Sequence, residues 1–405
     1  MNELILGVVR ETKNPPDKRV PLSPQQCRLL SARYPNLKIL VQPSKDRCFS
    51  DQEYKHAGVT LQEDLSACDV LAGVKEVKTD ALIPDKSYLF FSHTAKEQSY
   101  NRGLLKTLVE KRIRMIDYEY LTLDSGMRVV AFGKWAGVVG AYNGLIALGL
   151  RSGRYKLPRA NSLRDLTELK AGLAGIDVGK TRIAVTGGGR VAEGAVEILK
   201  AAGIRELEPG AYLSQSFDEA VFTRLDPWHY TKNRFGERFD FNHFIANPHL
   251  YESSFLPYAR RSDMYIACHF WDPRSPFLLT SKDLRGGKVP IRIIADISCD
   301  IDGPIASTIR PSTIAEPFYG YDPQLQEESE AFANDSITVM AVDNLPGELP
   351  RDSSSSFGDA LVEYVIPELL NQAKSEMLAR ASITENGQLG RDYAYLQDFL
   401  NGTEN

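Results

Sequence analysis

Short apolar runs alternate with amphipathic stretches along the first third of the chain. The stretches at 23–33 and 98–111 have helical spacing, and the runs around them predict strands: LILGVVR, LKILVQP, ACDVLAGVKEV, SYLFFSHT and IRMIDYEYL. Strands separated by helices at this spacing are typical of a parallel α/β sheet. The first part of the chain is therefore predicted to form such a sheet.

The middle of the chain opens a second unit of the same kind. The segment Lys134–Leu150 is apolar, rich in small residues and free of proline, which predicts one buried helix that could link two domains. After a polar excursion, TRIAVTG predicts a strand, VAEGAVEILKAAG a helix and IRELEP the next strand. MYIACHF, IRIIADISCD and ITVMAVDNLP then resume the sheet. We interpret His229, His243 and His249, in the variable stretch between, as surface groups.

The end of the chain is predicted to return to the first domain. Four serines at 353–356 are expected to lead into a helix, FGDALVEYVIPELLNQAK, that is kinked near Pro367. A chain of 405 residues exceeds the roughly 250–300 at which a single core stops growing. We therefore predict an α/β fold of two Rossmann-like domains with parallel sheets separated by a cleft. Residues 1–136 and 347–405 would form one domain, and residues 137–346 the other.

Composition and charge narrow the classes of partner. Hydrophobic residues at 43% and charged residues at 25% are ordinary for a soluble globular protein. A net charge of −5 without a Lys/Arg block argues against nucleic acid, and no apolar run approaches the roughly 18 residues of a membrane helix. The N-terminus lacks a signal-peptide pattern, so we expect a cytoplasmic protein. Five scattered cysteines without a C-x-x-C pair predict reduced thiols and no metal site.

A glycine-rich turn in VTGGGRVAEGA is the first candidate binding motif. Gly187, Gly189 and Ala192 satisfy G-x-G-x-x-G/A between a predicted strand and helix, as in dinucleotide-binding folds. Glu208 lies roughly 20 residues further on, where a carboxylate would bind a ribose 2′-hydroxyl and favour NAD. Arg190 and Arg205 leave NADP open. Alternatively, the glycines serve only a steric purpose and Glu208 is an exposed charge at a strand end.

Lys75 and His93 are the candidates for proton transfer. Each follows a predicted parallel strand, at the edge where α/β sheets bind ligands. Oxidation of a C–N bond needs groups that remove a proton from the amine and manage the water that adds to the imine. Histidine titrates near neutrality, and a desolvated lysine beside other cations does so when its pKa is lowered. Arg19 is a candidate clamp for a substrate carboxylate, because its planar fork donates two hydrogen bonds. The alternative for all three is a solvated surface charge.

These residues resemble a known family, the L-lysine-forming saccharopine dehydrogenases, and most closely the lysine–2-oxoglutarate reductase half of the bifunctional aminoadipic semialdehyde synthases. The matching stretches run in order along nearly the whole chain: RETKNPPDKRVPLSP, LAGVKEV, FFSHTAKEQ, IDYEYL, RVVAFGKWAGVVGA, VTGGGRVAEGA, ADISCDIDGPI, TIAEPFYGYDP, VDNLPGELPRDSSSSFGD and SITENGQL. The chain is also similar, more remotely, to alanine dehydrogenase, which shares the architecture and the Lys/His pair.

The resemblance implies roles position by position. Residues matched to the substrate site are Lys75 and His93, the catalytic acid–base pair; Lys96 and Glu119, which shift the pKa of their neighbours; and Arg19 and Arg128, which bind carboxylates. Asp300 is expected near the nicotinamide. The candidates for cofactor binding are then Gly187, Gly188, Gly189, Arg190, Val191, Glu208, His269, Asp300, Asp343 and Leu345.

The family implies an enzyme that interconverts saccharopine, NAD(P)⁺ and water with lysine, 2-oxoglutarate and NAD(P)H. The domain of residues 137–346 would bind the dinucleotide, and the other domain the substrate. Fungal members use NAD and the reductase halves use NADPH, so either cofactor is expected, with NAD favoured. The expected partners are these small molecules and, in a homo-oligomer, further copies of the chain.

Two features depart from the family pattern. The chain stops where the bifunctional proteins continue, so it is not expected to release glutamate and the semialdehyde. Ala192 replaces a glycine that some members carry. Two other functions stay open: an amino-acid dehydrogenase of the alanine type, which releases ammonia, and a non-catalytic nucleotide-binding protein.

Overall fold

The computed structural model describes residues 3–14, 16–371 and 374–403. The chain forms two compact units: unit 1 comprises Met1–Phe132 and Pro350–Asn405, and unit 2 comprises Gly133–Leu349. Among the described residues, no helix has both the length and the apolar character needed to cross a membrane.

The chain alternates strands and helices before Phe132. The described elements are β1 (Leu4–Val8), α1 (Pro24–Arg33), β2 (Leu37–Val41), α2 (Asp51–His56), β3 (Thr60–Leu61), β4 (Val70–Ala72), β5 (Ser87–Phe90), α3 (Arg102–Glu110) and β6 (Arg114–Asp117). Helix α1 begins where the sequence predicted, because Ser23 and Gln26 form a reciprocal capping box at its N-terminus.

Unit 2 is continuous in sequence. Its described elements are α4 (Gly133–Ser152), α5 (Leu166–Leu173), β7 (Arg182–Thr186), α6 (Arg190–Ala201), β8 (Arg205–Glu206), α7 (Pro209–Ser214), β9 (Val221–Leu225), α8 (Pro227–Tyr230), β10 (Thr231–Asn233), α9 (Phe241–Ala246), β11 (Tyr251–Ser253), α10 (Leu256–Ala259), β12 (Met264–Ala267), α11 (Ser281–Arg285), β13 (Ile293–Asp296), β14 (Phe318–Asp322), β15 (Glu327–Ser329) and β16 (Ile337–Met340).

The chain then returns to unit 1. The described elements are α12 (Pro350–Ala360), a π-helical turn (Leu361–Val365), α13 (Ile366–Leu370), α14 (Glu376–Ala381), β17 (Ser382–Glu385), β18 (Gln388–Leu389) and α15 (Gln397–Asn401). The π-helical turn ends two residues before Pro367, as expected where proline cannot donate a backbone hydrogen bond. Residues 372 and 373, within the stretch predicted to be helical, lie outside the described residues.

The serines at 353–356 do not lead into the helix as predicted, but lie inside α12. Ser353 and Ser354 are buried, and the Ser354 hydroxyl accepts a hydrogen bond from the amide of Val20 at 2.9 Å. The Ser355 carbonyl accepts one from the Gln26 side chain at 2.6 Å. The serines therefore serve as small, polar contacts between α12 and the N-terminal part of unit 1.

Both units contain an eight-stranded, mostly parallel sheet, as the predicted Rossmann-like fold requires. In unit 1 the strand order is β18-β17-β6-β5-β4-β1-β2-β3, and β17 and β18 are antiparallel additions at one edge. In unit 2 the order is β15-β14-β16-β13-β12-β7-β9-β8, and β14 and β15 are the antiparallel strands. The sequence did not predict these antiparallel edges, nor strand β9.

Helix α4 packs against α6 within unit 2, at a very close approach. A Cβ on Gly137 would overlap the carbonyl of Val191, and a Cβ on Gly194 would overlap the carbonyl of Lys134. The chain enters unit 2 at Gly133, the first residue of α4, whereas the sequence predicted the boundary after residue 136.

Candidate functional site

The loop after β4 positions Lys75. The carboxylate of Glu11 accepts hydrogen bonds from the amides of Val74, at 2.6 Å, and Lys75, at 3.0 Å. Gly73 makes room for this clamp, because a Cβ there would lie 3.3 Å from a Glu11 carboxylate oxygen. The backbone at Lys75 is thereby tied to the segment that follows β1.

The environment of the Lys75 side chain favours loss of its proton. Partial burial lowers its pKa, and the nearby positive charge of Arg19 lowers it further. Asp17 and Glu76 act in the opposite direction without reversing the shift. Among the described residues, the ammonium group has no hydrogen-bond or ion-pair partner. A lysine whose pKa is lowered gives up its proton more readily, as a general base or acid must.

Glu11 is itself unusual for a carboxyl group. Burial raises its pKa to about 7, and the negative charge of Asp17 adds to the effect, against the two amide hydrogen bonds and Arg19. The Glu11 carboxyl group, which accepts hydrogen bonds from the Lys75 loop, therefore changes its charge near neutral pH.

Arg19 is buried and paired with Asp17. Its Nε and one terminal nitrogen donate to the two carboxylate oxygens at 3.0 and 2.6 Å. Although burial opposes ionisation, these hydrogen bonds and the guanidinium charge lower the pKa of Asp17 to about 2. The Arg19 guanidinium also lies 4.3 Å from the ring centroid of Phe132. Arg19, which the sequence predicted to bind a substrate carboxylate, is thus held rigidly and already binds the carboxylate of Asp17.

His93 follows β5 and pairs with a carboxylate that sequence reasoning missed. Its Nδ1 lies 3.5 Å from Oε1 of Glu76, whose Oε2 lies 2.7 Å from the ammonium of Lys13. Despite burial, hydrogen bonds from His93 and Lys13 lower the pKa of Glu76 to about 2. His93 has a left-handed backbone, with φ 55°, and its ring stacks on Phe91. An ionised carboxylate therefore fixes the orientation of the imidazole.

A buried carboxyl group ties the His93 segment to the next strand. Asp117, the last residue of β6, accepts hydrogen bonds from the amide and hydroxyl of Ser92 at 2.9 and 2.6 Å, and from the amide of Glu119 at 2.8 Å. Burial raises the pKa of Asp117. The segments after β5 and β6 are thus connected.

Three further predicted residues lie together beside this edge. The ammonium of Lys96 is 3.1 Å from the Glu119 carboxylate, and a guanidinium nitrogen of Arg128 is 3.9 Å from its other oxygen. The buried Nε of Arg128 has no hydrogen-bond partner in the part of the chain that the structure describes. Arg128 therefore retains capacity to bind an anionic group.

The glycine-rich turn joins β7 to α6 in unit 2. Gly187 has φ 121°, and a Cβ there would lie 2.6 Å from the Cys268 carbonyl. Gly189 caps α6, and a Cβ there would meet open space. Arg190 and Val191 form the first helical turn, where main-chain N–H groups lack helical acceptors and attract anions. The buried Ala192 permits close helix packing.

His269 lies at the carboxyl end of β12 and is held neutral. Burial lowers its pKa to about 4. Its Nδ1 is 2.8 Å from the Thr186 hydroxyl, and its buried Nε2 has no partner among the described residues. An unpaired buried ring nitrogen is a group that a ligand amide or hydroxyl can satisfy.

Two carboxyl groups lie at and after the end of β13. Asp296 is fully buried, accepts from the hydroxyls of Ser298 and Thr308 at 2.6 and 2.7 Å, and has its pKa raised by burial. Burial and the charge of Asp296 raise the pKa of the half-buried Asp300 to about 6. Asp300, the residue expected near a nicotinamide, is therefore easily neutralised.

The segment after β16 carries two more predicted residues. Asp343 is exposed, whereas Leu345 is buried at the start of a 3₁₀ turn, Leu345–Glu348. The fully buried Glu348 anchors this turn, because it accepts hydrogen bonds from Asn143 at 2.9 Å and Arg159 at 2.8 Å. The position of Leu345 is thus set by buried polar contacts.

Glu208 does not lie beside the glycine-rich turn as predicted. It is exposed, it follows the edge strand β8, and β9 separates β8 from β7. The carboxylate that the structure brings to the turn is Asp226, directly after β9: a Cβ on Gly188 would overlap its Oδ1.

These features of unit 2 fit a dinucleotide. A glycine-rich turn leads into a helix N-terminus with open space beside it, carboxylates follow the neighbouring strands, and a neutral histidine has an unpaired nitrogen.

The fold has a counterpart in alanine dehydrogenase. Residues 7–139 match the model of the alanine dehydrogenase/PNT N-terminal domain. A solved L-alanine dehydrogenase shares the fold, with a TM-score of 0.67 and 18% identity over 99% of this chain and 100% of that one.

The resemblance to alpha-aminoadipic semialdehyde synthases and saccharopine dehydrogenases is confirmed. The chain is 32% identical over 453 aligned positions to the mitochondrial alpha-aminoadipic semialdehyde synthase of Bos taurus, covering 100% of this chain and 48% of that protein. It is 27% identical to the saccharopine dehydrogenase [NAD(+), L-lysine-forming] of Yarrowia lipolytica, over 89% of this chain and 90% of that one. The chain spans about half the length of the semialdehyde synthase.

Proposed function

We propose that the chain interconverts saccharopine, NAD(P)⁺ and water with L-lysine, 2-oxoglutarate, NAD(P)H and a proton. The observation that carries the proposal is the arrangement after β4 and β5: a lysine with a lowered pKa, and a histidine oriented by the ionised Glu76. The names of the relatives supply the substrate class.

In this proposal, unit 1 supplies the proton-transfer groups. Lys75 takes a proton from the secondary amine of saccharopine, since its own pKa is lowered and its nitrogen has no partner among the described residues. His93 turns Nδ1 to Glu76, which leaves Nε2 to activate the water that attacks the imine. Glu11 keeps the Lys75 backbone in place.

The carboxylates of the substrate require cations. Lys96 and Arg128 share the single carboxylate of Glu119, so this group has a surplus of positive charge. Arg19 contributes a further guanidinium, held rigidly by Asp17. We assign these three residues to the substrate carboxylates.

Unit 2 holds the dinucleotide in this proposal. The turn Gly187–Gly189 and the first turn of α6 would bind the pyrophosphate, and His269, Asp300 and Leu345 would complete the site. The cofactor would supply the acceptor and donor of the hydride.

The test follows reduced nicotinamide by its absorbance in purified protein. Saccharopine with NAD⁺ or NADP⁺, and lysine plus 2-oxoglutarate with NADH or NADPH, are expected to give turnover. Turnover with pyruvate and ammonium instead would point to an amino-acid dehydrogenase of the alanine type. Nucleotide binding without turnover on any of these substrates would point to a non-catalytic nucleotide-binding protein.

A further inference from the structure

The strand order of unit 2 decides which acidic residue meets the adenosine ribose. In dinucleotide-binding folds, the carboxylate that binds the ribose 2′-hydroxyl follows the strand next to the one that enters the glycine-rich turn. That neighbour is usually the next strand in the sequence, which here is β8. In this protein it is β9, because the order runs β7-β9-β8.

Hydrogen bonds between the main chains of β7 and β9 place the end of β9 next to the glycine-rich turn. Thr186, the last residue of β7, lies opposite Leu225, the last residue of β9. The amide of Gly187 donates to the Leu225 carbonyl at 2.8 Å. The next residue, Asp226, therefore leaves the sheet beside the turn, and its Oδ1 lies where a side chain on Gly188 would project.

Glu208 occupies a different place. Strand β8 pairs with the beginning of β9, since Glu206 lies opposite Phe222 and the Leu207 amide donates to the Phe222 carbonyl. Adjacent strands are about 4.8 Å apart, so β8 lies roughly 10 Å from β7. The exposed Glu208 precedes α7 at this outer edge.

Asp226 is held in position and faces one cation. The amide of Asp226 donates to Nδ1 of His229 at 3.1 Å, which fixes the backbone after β9. Its Oδ2 lies 4.0 Å from a terminal nitrogen of Arg224, and its side chain is only 18% exposed. A half-buried carboxylate at this point accepts hydrogen bonds from a ribose hydroxyl but repels a 2′-phosphate, which carries nearly two negative charges.

We propose that Asp226, and not Glu208, binds the adenosine ribose and makes the protein selective for NAD(H) over NADP(H). The proposal rests on the dinucleotide site of unit 2 proposed above, but not on the identity of the amino-acid substrate. Arg224 acts as the partner of Asp226 and not as a phosphate ligand as long as that carboxylate is present.

Equilibrium binding of NADH and NADPH, followed by nicotinamide fluorescence, tests the proposal without turnover. Wild-type protein is expected to bind NADH at least about tenfold more tightly than NADPH, as befits a hydrogen bond to a charged group. Asp226→Asn is expected to remove most of this preference by weakening NADH and strengthening NADPH. The matched control, Glu208→Gln, is expected to leave both affinities unchanged.

Three results overturn the assignment: a wild type that binds the two nucleotides equally or prefers NADPH, an Asp226→Asn variant with an unchanged ratio, or a Glu208→Gln variant with a shifted one. Binding of neither nucleotide to the wild type would reject the dinucleotide site itself. Binding without selectivity rejects only the role of Asp226. A wild type without the preference overturns the assignment even if a variant does not fold, which circular dichroism would reveal.

Discussion

The two units carry similar parallel sheets but differ, among the described residues, in whether an ionised carboxylate beside the candidate histidine is present. In unit 1, ionised groups are paired: Glu76 lies between His93 and Lys13, and its pKa falls to about 2. In unit 2, burial favours neutral groups, lowering the pKa of His269 and raising that of Asp296. The histidine of unit 1 is thus oriented by an ionised partner, whereas that of unit 2 is held neutral by burial. In the proposed function, the first would transfer protons and the second would contact the nucleotide.

Loss of the unpaired lysine is expected to have the largest effect. Lys75→Met should lower kcat for lysine plus 2-oxoglutarate by about 10²–10⁴, the usual worth of general acid–base catalysis. NADH affinity should stay within about twofold, because the glycine-rich turn belongs to unit 2. Steady-state kinetics and fluorescence titration measure the two quantities. An equal loss of kcat and of NADH affinity would contradict the assignment of proton transfer to unit 1 and of nucleotide binding to unit 2.

Breaking the buried ion pair of unit 1 is expected to reduce stability strongly. Asp17→Asn leaves Arg19 buried without its ionised partner, which typically costs about 3 kcal/mol or more in the free energy of unfolding. Urea denaturation of the variant measures this difference. The exposed pair of Lys180 and Asp218 provides the control, since Asp218→Asn should change stability by less than about 1 kcal/mol. Similar losses in both variants would contradict the importance of burial.

The neutral histidine of unit 2 is expected to make stability depend on pH. The unfolded chain binds a proton at His269 near pH 6.5 and the folded protein only near pH 4, so stability falls as pH falls between these values. We expect a contribution of up to about 3 kcal/mol, absent from His269→Gln. Denaturation at several pH values measures it. A constant difference between wild type and variant would show that burial does not hold His269 neutral.

Glu11 is expected to act in the opposite direction, with a smaller effect because the side chain is partly exposed. Its pKa rises from 4.5 to about 7 on folding, so the contribution is fully present below pH 4.5 and is lost as pH rises towards 7. We expect about 1–2 kcal/mol after allowing for solvent screening. Comparison of Glu11→Gln with wild type across this range measures it. Loss on acidification instead would contradict the raised pKa.

The sequence predicted the elements that depend on local pattern. Lys75 and His93 lie after parallel strands as predicted, and the turn Gly187–Gly189 joins a strand to a helix. Parallel strands expose their carboxyl ends at one edge, so strand ends can be read from alternating elements. Whether these residues perform the assigned roles stays a prediction.

Pairing between distant segments could not be read in the same way. Glu11, Lys13, Asp17 and Glu76 were missed because their significance lies in which atoms they contact, across as many as 64 residues for Glu11 and Lys75. All four lie in stretches that carried the family resemblance, so their charges were visible but their partners were not.

A short strand caused the error at Glu208. VFTRL contains only five residues and follows a polar loop, so its sequence does not distinguish it from the variable stretch around it. The sequence alone therefore predicts IRELEP as the neighbour of β7. Only the hydrogen bonds of the sheet reveal that β9 occupies that position.

The return of α12 and β17 to unit 1 has a consequence for how the protein is made. Strand β17 pairs with β6 more than 250 residues upstream, whereas unit 2 is one uninterrupted segment. During synthesis, the nascent chain can complete unit 2 while the first sheet still lacks β17, β18 and helix α12. The half that contains Lys75 and His93 is therefore completed only after all of unit 2 has been synthesised.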